Sequence, residues 1–414
     1  MKPKIFTTIH GYTLRQFGAD TFAGLTVALV ALPLSIAIAI ASGAPPAAGL
    51  VTAIVGGFLI SALGGSRVQI GGPTGAFIVV VYGVIHNHGY QGLLGATFLA
   101  GVILLVAGLL RAGRLIRHIP EAVIDGFTIG IAIVIAVGQV KDLAGMKGGA
   151  LPADFLPKVA ALWAMGSTFD PIALCLGIGC IAAIVTLRRA MPRIPWLIIV
   201  VAMASIAARV ALPSIDTVAG HFGVLPTGLP APHLPAIDFA QAIKLFPSAL
   251  TIAFLAGIES LLSATVADRL IGAAHRSGAE LIAQGAANIA SPLYGGLPAT
   301  GAIARTATNV SAGGRTPMAG LIHALVIYLV LLFAAPLAGA LALPALASLL
   351  VVTAWTMSEP HRWPSRLRLP KPELFVLLLT VSLTVLADLT VAIVAGTVIG
   401  LALKIGNVAP QSSR

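Results

Sequence analysis

Gly71-Gly72-Pro73-Thr74-Gly75-Ala76 and Gly295-Gly296-Leu297-Pro298-Ala299-Thr300-Gly301-Ala302 are two versions of one motif, one in each half of the chain. Both run Gly-Gly, Pro, Thr-Gly-Ala, and their prolines are 225 residues apart. Each opens a short apolar segment, 74–88 or 298–309, that is too short to cross a bilayer alone. Proline suits the first turn of a helix, and Gly-Gly lets an extended chain turn into it. The motif therefore predicts two half-helices that begin at membrane depth.

The surrounding chain has the composition of an integral membrane protein. Of its 414 residues, 58% are hydrophobic and 9% are charged, and the mean hydropathy is +1.00. Soluble domains carry about 25% charged residues, so this chain has too little polar surface to cover a globule in water. The net charge of +11 lies in short clusters between apolar runs. That pattern is typical of membrane loops, and we expect a lipid bilayer and no nucleic acid as partner.

The apolar runs predict an all-α membrane fold with about 14 transmembrane segments, since a spanning helix needs about 20 apolar residues. The predicted segments are 21–41, 46–63, 74–88, 91–110, 121–140, 171–188, 194–211, 247–267, 277–292, 298–309, 317–334, 337–354, 374–387 and 389–405. Seven lie in each half, and an odd number of spans per repeat inverts the second repeat in the membrane.

The basic residues predict the orientation. With a cytoplasmic N-terminus and alternating crossings, eighteen of the 25 Lys and Arg residues lie on the inner side and five on the outer side. This asymmetry places both termini in the cytoplasm, with the chain as a multi-pass protein of the inner (cell) membrane. The predicted organisation is then a cytoplasmic N-terminus (1–20), a first seven-span repeat (21–205), an extracytoplasmic linker (206–246), a second seven-span repeat (247–405) and a C-terminal tail (406–414). The long stretches 141–170 and 212–246 are expected to be outer loops.

The paired motifs also predict a binding site. Short segments interrupted by Gly and Pro at matching places in two halves indicate the site of a transporter. A half-helix that begins at depth has free N–H groups and a positive dipole end, and such backbone is tolerated only where it lines a cavity. Two of these ends facing each other make a site for a small anion. The alternative is a pair of unrelated kinks in buried helices.

Two ionisable residues lie at the same predicted depth. Glu259 and Ser263 are four residues apart in the eighth span, on one helix face. A carboxylate is costly there and indicates function, such as carrying a proton; the alternative is a structural partner for Arg305. Arg305 either adds positive field to the anion site or extends its head group to the cytoplasmic surface. We interpret four further residues as structural: the acids Glu121, Asp125 and Asp268, and the histidine His323.

The chain contains no metal-ligand cluster, Walker loop or Ser-His-Asp arrangement. We therefore expect no cofactor, no ATP-driven transport by this chain alone and no enzymatic activity.

The motifs resemble those of the SulP anion transporters, the sulfate-permease group that includes solute carrier family 26. The matching stretches run in order through the membrane region: Ala31-Leu32-Pro33, Ala44 to Leu50, Gly64 to Thr74, Glu259 to Leu262, Glu280 to Gly285, Asn288, and Gly295 to Thr306. The resemblance implies fourteen spans in two inverted repeats. A core domain (spans 1–4 and 8–11) would move against a gate domain (spans 5–7 and 12–14), with the anion between the third and tenth spans.

The resemblance also implies residue roles. Substrate would be bound by Thr74, Gly75 and Ala76 opposite Ala299, Thr300, Gly301 and Ala302, with Leu34 and Ile38 of the first span lining the pocket. Glu259 and Ser263 correspond to the acid and hydroxyl used for cation coupling in sodium-dependent bicarbonate members. Arg305 corresponds to the basic residue beside the anion in some animal members.

Three departures from the family pattern modify these expectations. Many members have a polar residue where Leu34 stands, so the pocket is expected to be less polar. The sodium-coupled pattern has Asp where Glu259 stands, which favours H+ over Na+ as the coupling ion. A cytoplasmic STAS domain usually follows the last span, whereas only Gly406 to Arg414 remain here. We therefore expect a shortened or naturally short form, with a homodimer left open.

The resulting interpretation is a secondary active transporter of a small inorganic or organic anion, working by elevator-like alternating access as an H+-coupled symporter or an anion exchanger. Sulfate, bicarbonate, chloride and dicarboxylates all fit the sequence. One alternative is an anion channel on the same scaffold. Another is a nucleobase permease of the same fold, although those proteins usually also have an acid on the tenth span, where this chain has Arg305.

Overall fold

The computed structural model describes residues 2–114, 120–191, 195–387 and 389–408, which form twenty α-helices and one short β-ladder. The first half contains α1 (Ile5–Thr8), α2 (Leu14–Ala41), α3 (Pro46–Val51), α4 (Gly57–Leu63), α5 (Ile78–Leu109), α6 (Glu121–Gly138), α7 (Val140–Leu143), α8 (Phe155–Ala164), α9 (Pro171–Ala190), α10 (Trp196–Ala211) and α11 (Val218–Phe222). The second contains α12 (Phe239–Ile271), α13 (Ser277–Leu293), α14 (Ile303–Ser311), α15 (Met318–Phe333), α16 (Ala335–Gly339), α17 (Leu343–Met357), α18 (Trp363–Arg366), α19 (Lys371–Leu386) and α20 (Leu389–Val408).

Six helical stretches of the described chain are long and apolar enough to cross a membrane: Leu14–Ala41, Pro46–Leu63, Gly75–Leu109, Glu121–Leu143, Pro171–Ala190 and Phe239–Ile271. Shorter apolar helices supply further candidates, such as Trp196–Ala211 and Met318–Phe333. Inside α5, Gly89 has φ of 69° and interrupts the helix. This break separates the predicted segments 74–88 and 91–110.

The two Gly-Pro-Thr-Gly motifs meet in an antiparallel ladder. Strand β1 (Gly71–Gly72) pairs with β2 (Thr300–Gly301), with Gly71 opposite Gly301 and Gly72 opposite Thr300. The sequence prediction that the two motifs face each other therefore agrees with the structure. The ladder also gives each motif backbone partners, which an extended chain needs at membrane depth.

The starts of the two half-helices differ from the prediction that each proline lies in a first helical turn. A 3-10 turn, Gly75–Phe77, follows Pro73 and leads into α5, whereas α14 begins at Ile303, five residues after Pro298. The predicted segment 298–309 is thus extended over its first residues. The reason is that residues of both motifs are used in the ladder, and Ala302 N–H donates to the Ile70 carbonyl at 2.9 Å.

The helices pack in two groups. One contains α2, α3, α4, α5, α12, α13, α14 and α15, and the other contains α6, α9, α10, α17, α19 and α20. The groups meet where α2 contacts α10 and α17, and where residues 75–77 contact α6 and α17. These groups hold the spans that the resemblance assigns to a core and a gate, and the ladder lies within the first group.

The predicted outer loops contain helices, so their assignment as loop throughout was wrong. The stretch 141–170 includes most of α7 and all of α8, and 212–246 includes all of α11 and the start of α12. Side-chain caps explain part of the difference: the Asp238 carboxylate accepts from Gln241 N–H at 2.6 Å and starts α12 before the apolar run. The predicted tail 406–414 is also helical to Val408, and residues 409–414 lie outside the described part.

Candidate functional site

The ladder brings the predicted site residues into one region. Around it lie the middle of α2, the middle of α12 and the first turn of α14, which contact one another or the strands. The Arg305 guanidinium of α14 donates from Nη2 to Ser35 Oγ of α2 at 3.1 Å. The Thr300 hydroxyl donates to the Ala256 carbonyl of α12 at 3.0 Å. Residues from both halves of the chain therefore form one continuous structure.

Side chains of α13 and of the second span hold the second motif in its extended form. Asn288 donates to the Ala299 carbonyl at 2.7 Å and accepts from the Ala299 N–H at 2.9 Å. At Leu297, the carbonyl accepts from Ser291 Oγ at 2.7 Å and the N–H donates to Thr52 Oγ1 at 2.6 Å. These bonds replace the backbone partners that a helix would provide, so the chain can stay extended without leaving buried polar groups unpaired.

A buried carboxylate, that of Glu280, positions the stretch of chain that precedes the first motif. Glu280 is 0% exposed, and its Oε2 accepts from Gly65 and Ser66 N–H at 2.9 and 3.2 Å. Its Oε1 accepts from Ser260 Oγ and Gln284 Nε2, each at 2.9 Å. The network continues from Ser260 to Gln69, whose Nε2 donates to the Ser260 carbonyl and hydroxyl at 3.1 Å. Glu280 therefore positions the chain that leads into β1.

Glu280→Gln is expected to destabilise the fold. Four groups donate hydrogen bonds to the two oxygens of the Glu280 carboxylate. An amide has only one oxygen, and its NH₂ group cannot accept from the two donors that it would face. Each donor left unpaired in a buried site costs about 1–3 kcal/mol. We expect a clearly lower thermal unfolding midpoint of the purified protein in detergent. Glu373→Gln, at an exposed carboxylate in the first turn of α19, is the matched control, and equal midpoints for the two variants would contradict the role of Glu280.

Glu259 and Ser263 contact different half-helices. Thr74 Oγ1 donates to Glu259 Oε2 at 2.8 Å, and Ser263 Oγ lies 3.3 Å from Thr306 Oγ1. The described residues show no direct bond within the predicted acid-hydroxyl pair. Glu259 is partly exposed and Ser263 is fully buried. Glu259 therefore links the eighth span to Thr74, a predicted substrate residue, and Ser263 links it to α14.

Arg305 lies inside the protein, so the alternative in which its head group reaches the cytoplasmic surface was wrong. The residue is 2% exposed. Within the described chain, neither its Nε nor its Nη1 has a hydrogen-bond partner, and no ion pair joins it to Glu259. A Cβ added to Gly72 would lie 2.1 Å from Nη1, which shows that the guanidinium packs against the β1 backbone. The structure thus presents a buried cation with unused donors beside the ladder.

The remaining predicted substrate residues lie close by with little exposure. Thr74 and Ala76 are each 6% exposed, Ala299 and Thr300 are 0% exposed, and Ala302 is 7% exposed. The glycines Gly75 and Gly301 are buried, Ile38 is 1% exposed, and Leu34 is partly buried. A Cβ at Gly301 would lie 1.4 Å from Gln69 Nε2, so a side chain there would displace Gln69. Their direct contact with substrate stays a prediction.

Several residues that support the site were given no role from the sequence, although four of them lie in the stretches that resemble the family. They are Ser35, Thr52, Gln69, Ser260, Glu280 and Asn288. One signal was available: Glu280, Gln284 and Asn288 repeat every four residues in an apolar helix, which places them on one face. The polar stripe marks the face of α13 that contacts the motifs. Nothing in the sequence showed which polar groups each residue would meet.

Two of the acids interpreted as structural, Asp125 and Asp268, contact basic side chains. Arg366 donates to Asp125 from Nε and Nη2 at 2.9 and 2.8 Å, and to Glu359 from Nη2 at 2.7 Å. Asp268 contacts His275 Nδ1 at 2.6 Å. His323 is 0% exposed, and neither ring nitrogen has a partner in the described structure. No group of three metal-binding side chains occurs among the described residues.

Comparison with known proteins identifies the family. The model of the Sulfate permease family matches residues 17–380. YvdB of Bacillus subtilis, which is named as a candidate sulfate transporter, is 40% identical over 387 residues, covering 93% of this chain and 73% of that protein. The bicarbonate transporter BicA of Picosynechococcus is 31% identical over 419 residues, covering 97% of this chain and 72% of that protein.

Solved structures agree in fold. The transmembrane domain of a cyanobacterial bicarbonate transporter BicA gives a TM-score of 0.83 at 30% identity, covering 92% of this chain and 98% of that one. Murine solute carrier 26 family member A9 gives a TM-score of 0.88 at 17% identity, covering 98% and 71%, a likeness of fold alone. These matches confirm the all-α membrane fold and the resemblance seen in the sequence. The chain belongs to the sulfate permease family of multi-pass membrane anion transporters.

Proposed function

We propose that this protein is a secondary active transporter that binds a small anion at the β1–β2 ladder. The observation that carries the proposal is Arg305, a buried guanidinium with two donor nitrogens unused by the described protein atoms. A buried cation is stable only with a partner, and an anion supplies it. Sulfate and bicarbonate, the anions named for the relatives, are the first candidates.

The backbone adds to the attraction for an anion. Phe77 N–H donates to the Thr74 carbonyl at 3.2 Å and is the first bonded N–H of its turn. The helix therefore offers no acceptor to the Gly75 and Ala76 N–H groups that precede it. Donors of this kind at a helix start favour negative charge. Arg305 and the first half-helix thus approach the same place from the two repeats.

The arrangement of the helices supports an elevator-like movement. The ladder, Glu259 and Arg305 all belong to the first packing group, which contacts the second group along α2 and residues 75–77. A rigid core that carries the site past a gate would expose it to each side of the membrane in turn. We place both termini in the cytoplasm, because the basic residues follow that arrangement.

Glu259 is the proposed coupling residue. Its carboxylate bonds to Thr74 of the substrate site, is partly exposed, and has no ion-pair partner within the described residues. A carboxylate in this position exchanges a proton more readily than one held by four donors, such as Glu280. We therefore propose H+ as the coupling ion, with anion exchange as the other mode. Oligomeric assembly as a homodimer is a separate proposal, to be tested by the mass of the purified protein in detergent.

A flux assay on the purified protein in liposomes tests the function. Radiolabelled sulfate and bicarbonate are offered with and without a pH gradient, and chloride, a dicarboxylate and a nucleobase serve as competitors. We expect saturable uptake of at least one anion, accelerated by an inward proton gradient. Saturable uptake of the nucleobase, or single-channel currents far above the turnover of a carrier, would contradict the proposal.

A further inference from the structure

A cavity lies outside the site described above, between the two packing groups. Its lining includes Ala41 at the end of α2, Ile78 and Tyr82 of α5, Ile135 of α6 and Lys158 of α8. In the proposed orientation, the ends of α2 and α6 and the whole of α8 belong to the extracytoplasmic side. The cavity is therefore positioned where substrate would arrive from outside the cell.

Lys158 is a buried cation that forms no ion pair with an acid in the described part of the chain. It is 7% exposed, and its Nζ lies 5.3 Å from the centroid of the Tyr82 ring, a cation–π distance. Asp154 is exposed one turn earlier, and no ion pair or hydrogen bond of the Lys158 ammonium is present in the described residues. Burial lowers the pKa of Lys158 below its usual value, and the charge of Asp154 partly opposes this.

Another lysine of the same outer stretch shows what a satisfied ammonium looks like here. Lys141 Nζ donates to the carbonyls of Gly148 and Gly149 at 3.1 and 2.8 Å. Among the described residues, the Lys158 ammonium contacts only the face of the Tyr82 ring. A buried charge with unused donors is costly unless a ligand of opposite charge completes it. The positive charge and unused donors of Lys158 therefore make the cavity suited to an anion.

Two elements place the cavity about one helical turn from the proposed substrate site. Ala41 follows the predicted pocket residue Ile38 by three positions in α2, and Ile78 follows Gly75 by three positions. Three residues of helix correspond to about 4.5 Å. Ile135 lines the cavity and would also lie 3.6 Å from a Cβ added to Gly75. The side chain of Ile135 thus lies between the cavity and Gly75 at the start of the first half-helix.

We propose that this cavity is an outer waiting site for the transported anion, in which Lys158 leaves the Tyr82 ring to bind the incoming anion. Lys158 is carried by α8, which contacts α6 and α19 of the second group, whereas Tyr82 belongs to the first group. The contact therefore bridges the two groups, and anion binding would release it. This inference rests on the proposed anion transport and adds to it a second site on one side of the membrane.

Anion uptake measured separately from the outer and inner faces of the membrane tests the inference. Uptake of radiolabelled sulfate and bicarbonate by intact cells samples the outer face, and uptake by inside-out vesicles samples the inner face. For Lys158→Gln we expect the half-saturating anion concentration to rise about tenfold in cells, as for loss of an electrostatic recruiting charge. The value in inside-out vesicles and the maximal rate on both sides should stay within about twofold of the wild type. Lys158→Arg, which keeps the charge, and Lys147→Gln, at an exposed lysine of the same stretch, should behave as wild type.

Each other outcome overturns the inference. An unchanged half-saturating concentration in cells would exclude recruitment by Lys158, and a rise on both faces would show a structural role instead. A rise only in inside-out vesicles would reverse the proposed side. If the wild type transports none of sulfate, bicarbonate, chloride and a dicarboxylate, the proposed function itself fails, a result distinct from normal transport by both the wild type and Lys158→Gln. Should Lys158→Gln be absent from the membrane, Lys158→Met, which keeps the packing of the stem, takes its place.

Discussion

Glu259→Gln is expected to abolish proton-driven accumulation of the anion while the protein stays folded. The amide keeps the size of the side chain and can still accept the 2.8 Å hydrogen bond from Thr74. It cannot release or take up a proton, so the pH gradient loses its connection to the substrate site. A coupling free energy of the usual size would reduce gradient-driven uptake about tenfold or more. The measurement is uptake into liposomes with and without an inward proton gradient.

Two variants complete the Glu259 experiment. Glu259→Asp retains a proton carrier and should retain dependence on pH. Because the family resemblance implies Asp at this position in sodium-coupled members, Glu259→Asp also allows a test of whether Na+ becomes effective. Glu373→Gln removes a carboxylate exposed at the start of α19 and should behave as wild type. If Glu259→Gln accumulates anion with unchanged pH dependence, Glu259 is not the coupling residue.

Arg305→Met is expected to abolish anion transport without loss of stability. A buried charge without an ion-pair partner is costly, so replacing it by an apolar side chain of similar length should not destabilise the fold. Ser35, the residue that accepts from Arg305, keeps a partner because its hydroxyl also donates to the Ala31 carbonyl at 2.7 Å. Loss of charge-assisted hydrogen bonds to the anion, each worth about 1.5–3 kcal/mol, should raise the half-saturating concentration at least about tenfold.

Arg366 provides the matched control, since it is also a buried arginine, at 5% exposure. Its guanidinium binds Asp125, Glu359 and the Ser358 carbonyl. Arg366→Met removes both bonds to Asp125, which then has only Arg362 Nη1 at 3.9 Å, while Glu359 and the Ser358 carbonyl keep bonds from Arg362 and Trp363. Because Asp125 loses its close partner, the variant should lower the thermal unfolding midpoint. The two variants therefore predict opposite results: lost transport with a normal thermal midpoint for Arg305→Met, and a lowered midpoint for Arg366→Met. A strongly lowered midpoint for Arg305→Met would indicate that Arg305 is structural.

The resemblance between the two motifs was sufficient to predict that the repeats meet at one site. Pro73 and Pro298 sit in similar local sequences, yet one leads into a helix after a single turn and the other into an extended stretch. That difference depends on Asn288, Ser291 and Thr52, which are distant in the chain from one or both motifs. Side-chain hydrogen bonds between helices therefore decided a feature that local proline and glycine preferences could not.

Local sequence also failed to predict helices outside the membrane spans. The stretch around Lys158 has the Pro and Gly content of a loop, but it includes α8, which contacts α6 and α19. A short helix that packs against other helices leaves a weak pattern in the sequence, because part of its surface is covered by neighbours rather than by lipid.

The sequence by itself determined the membrane class, the approximate spans and the pairing of the two motifs, and it singled out Glu259 and Arg305 as candidate site residues. These follow from hydropathy, charge asymmetry and repeated residues, all of which can be read along the chain. Only the tertiary structure decided the partners: Glu259 with Thr74 rather than Ser263, Arg305 inside the protein beside Gly72, Glu280 among four donors, and Lys158 against Tyr82. The physical reason is that hydrogen bonds and burial depend on distances between helices, which local sequence does not contain.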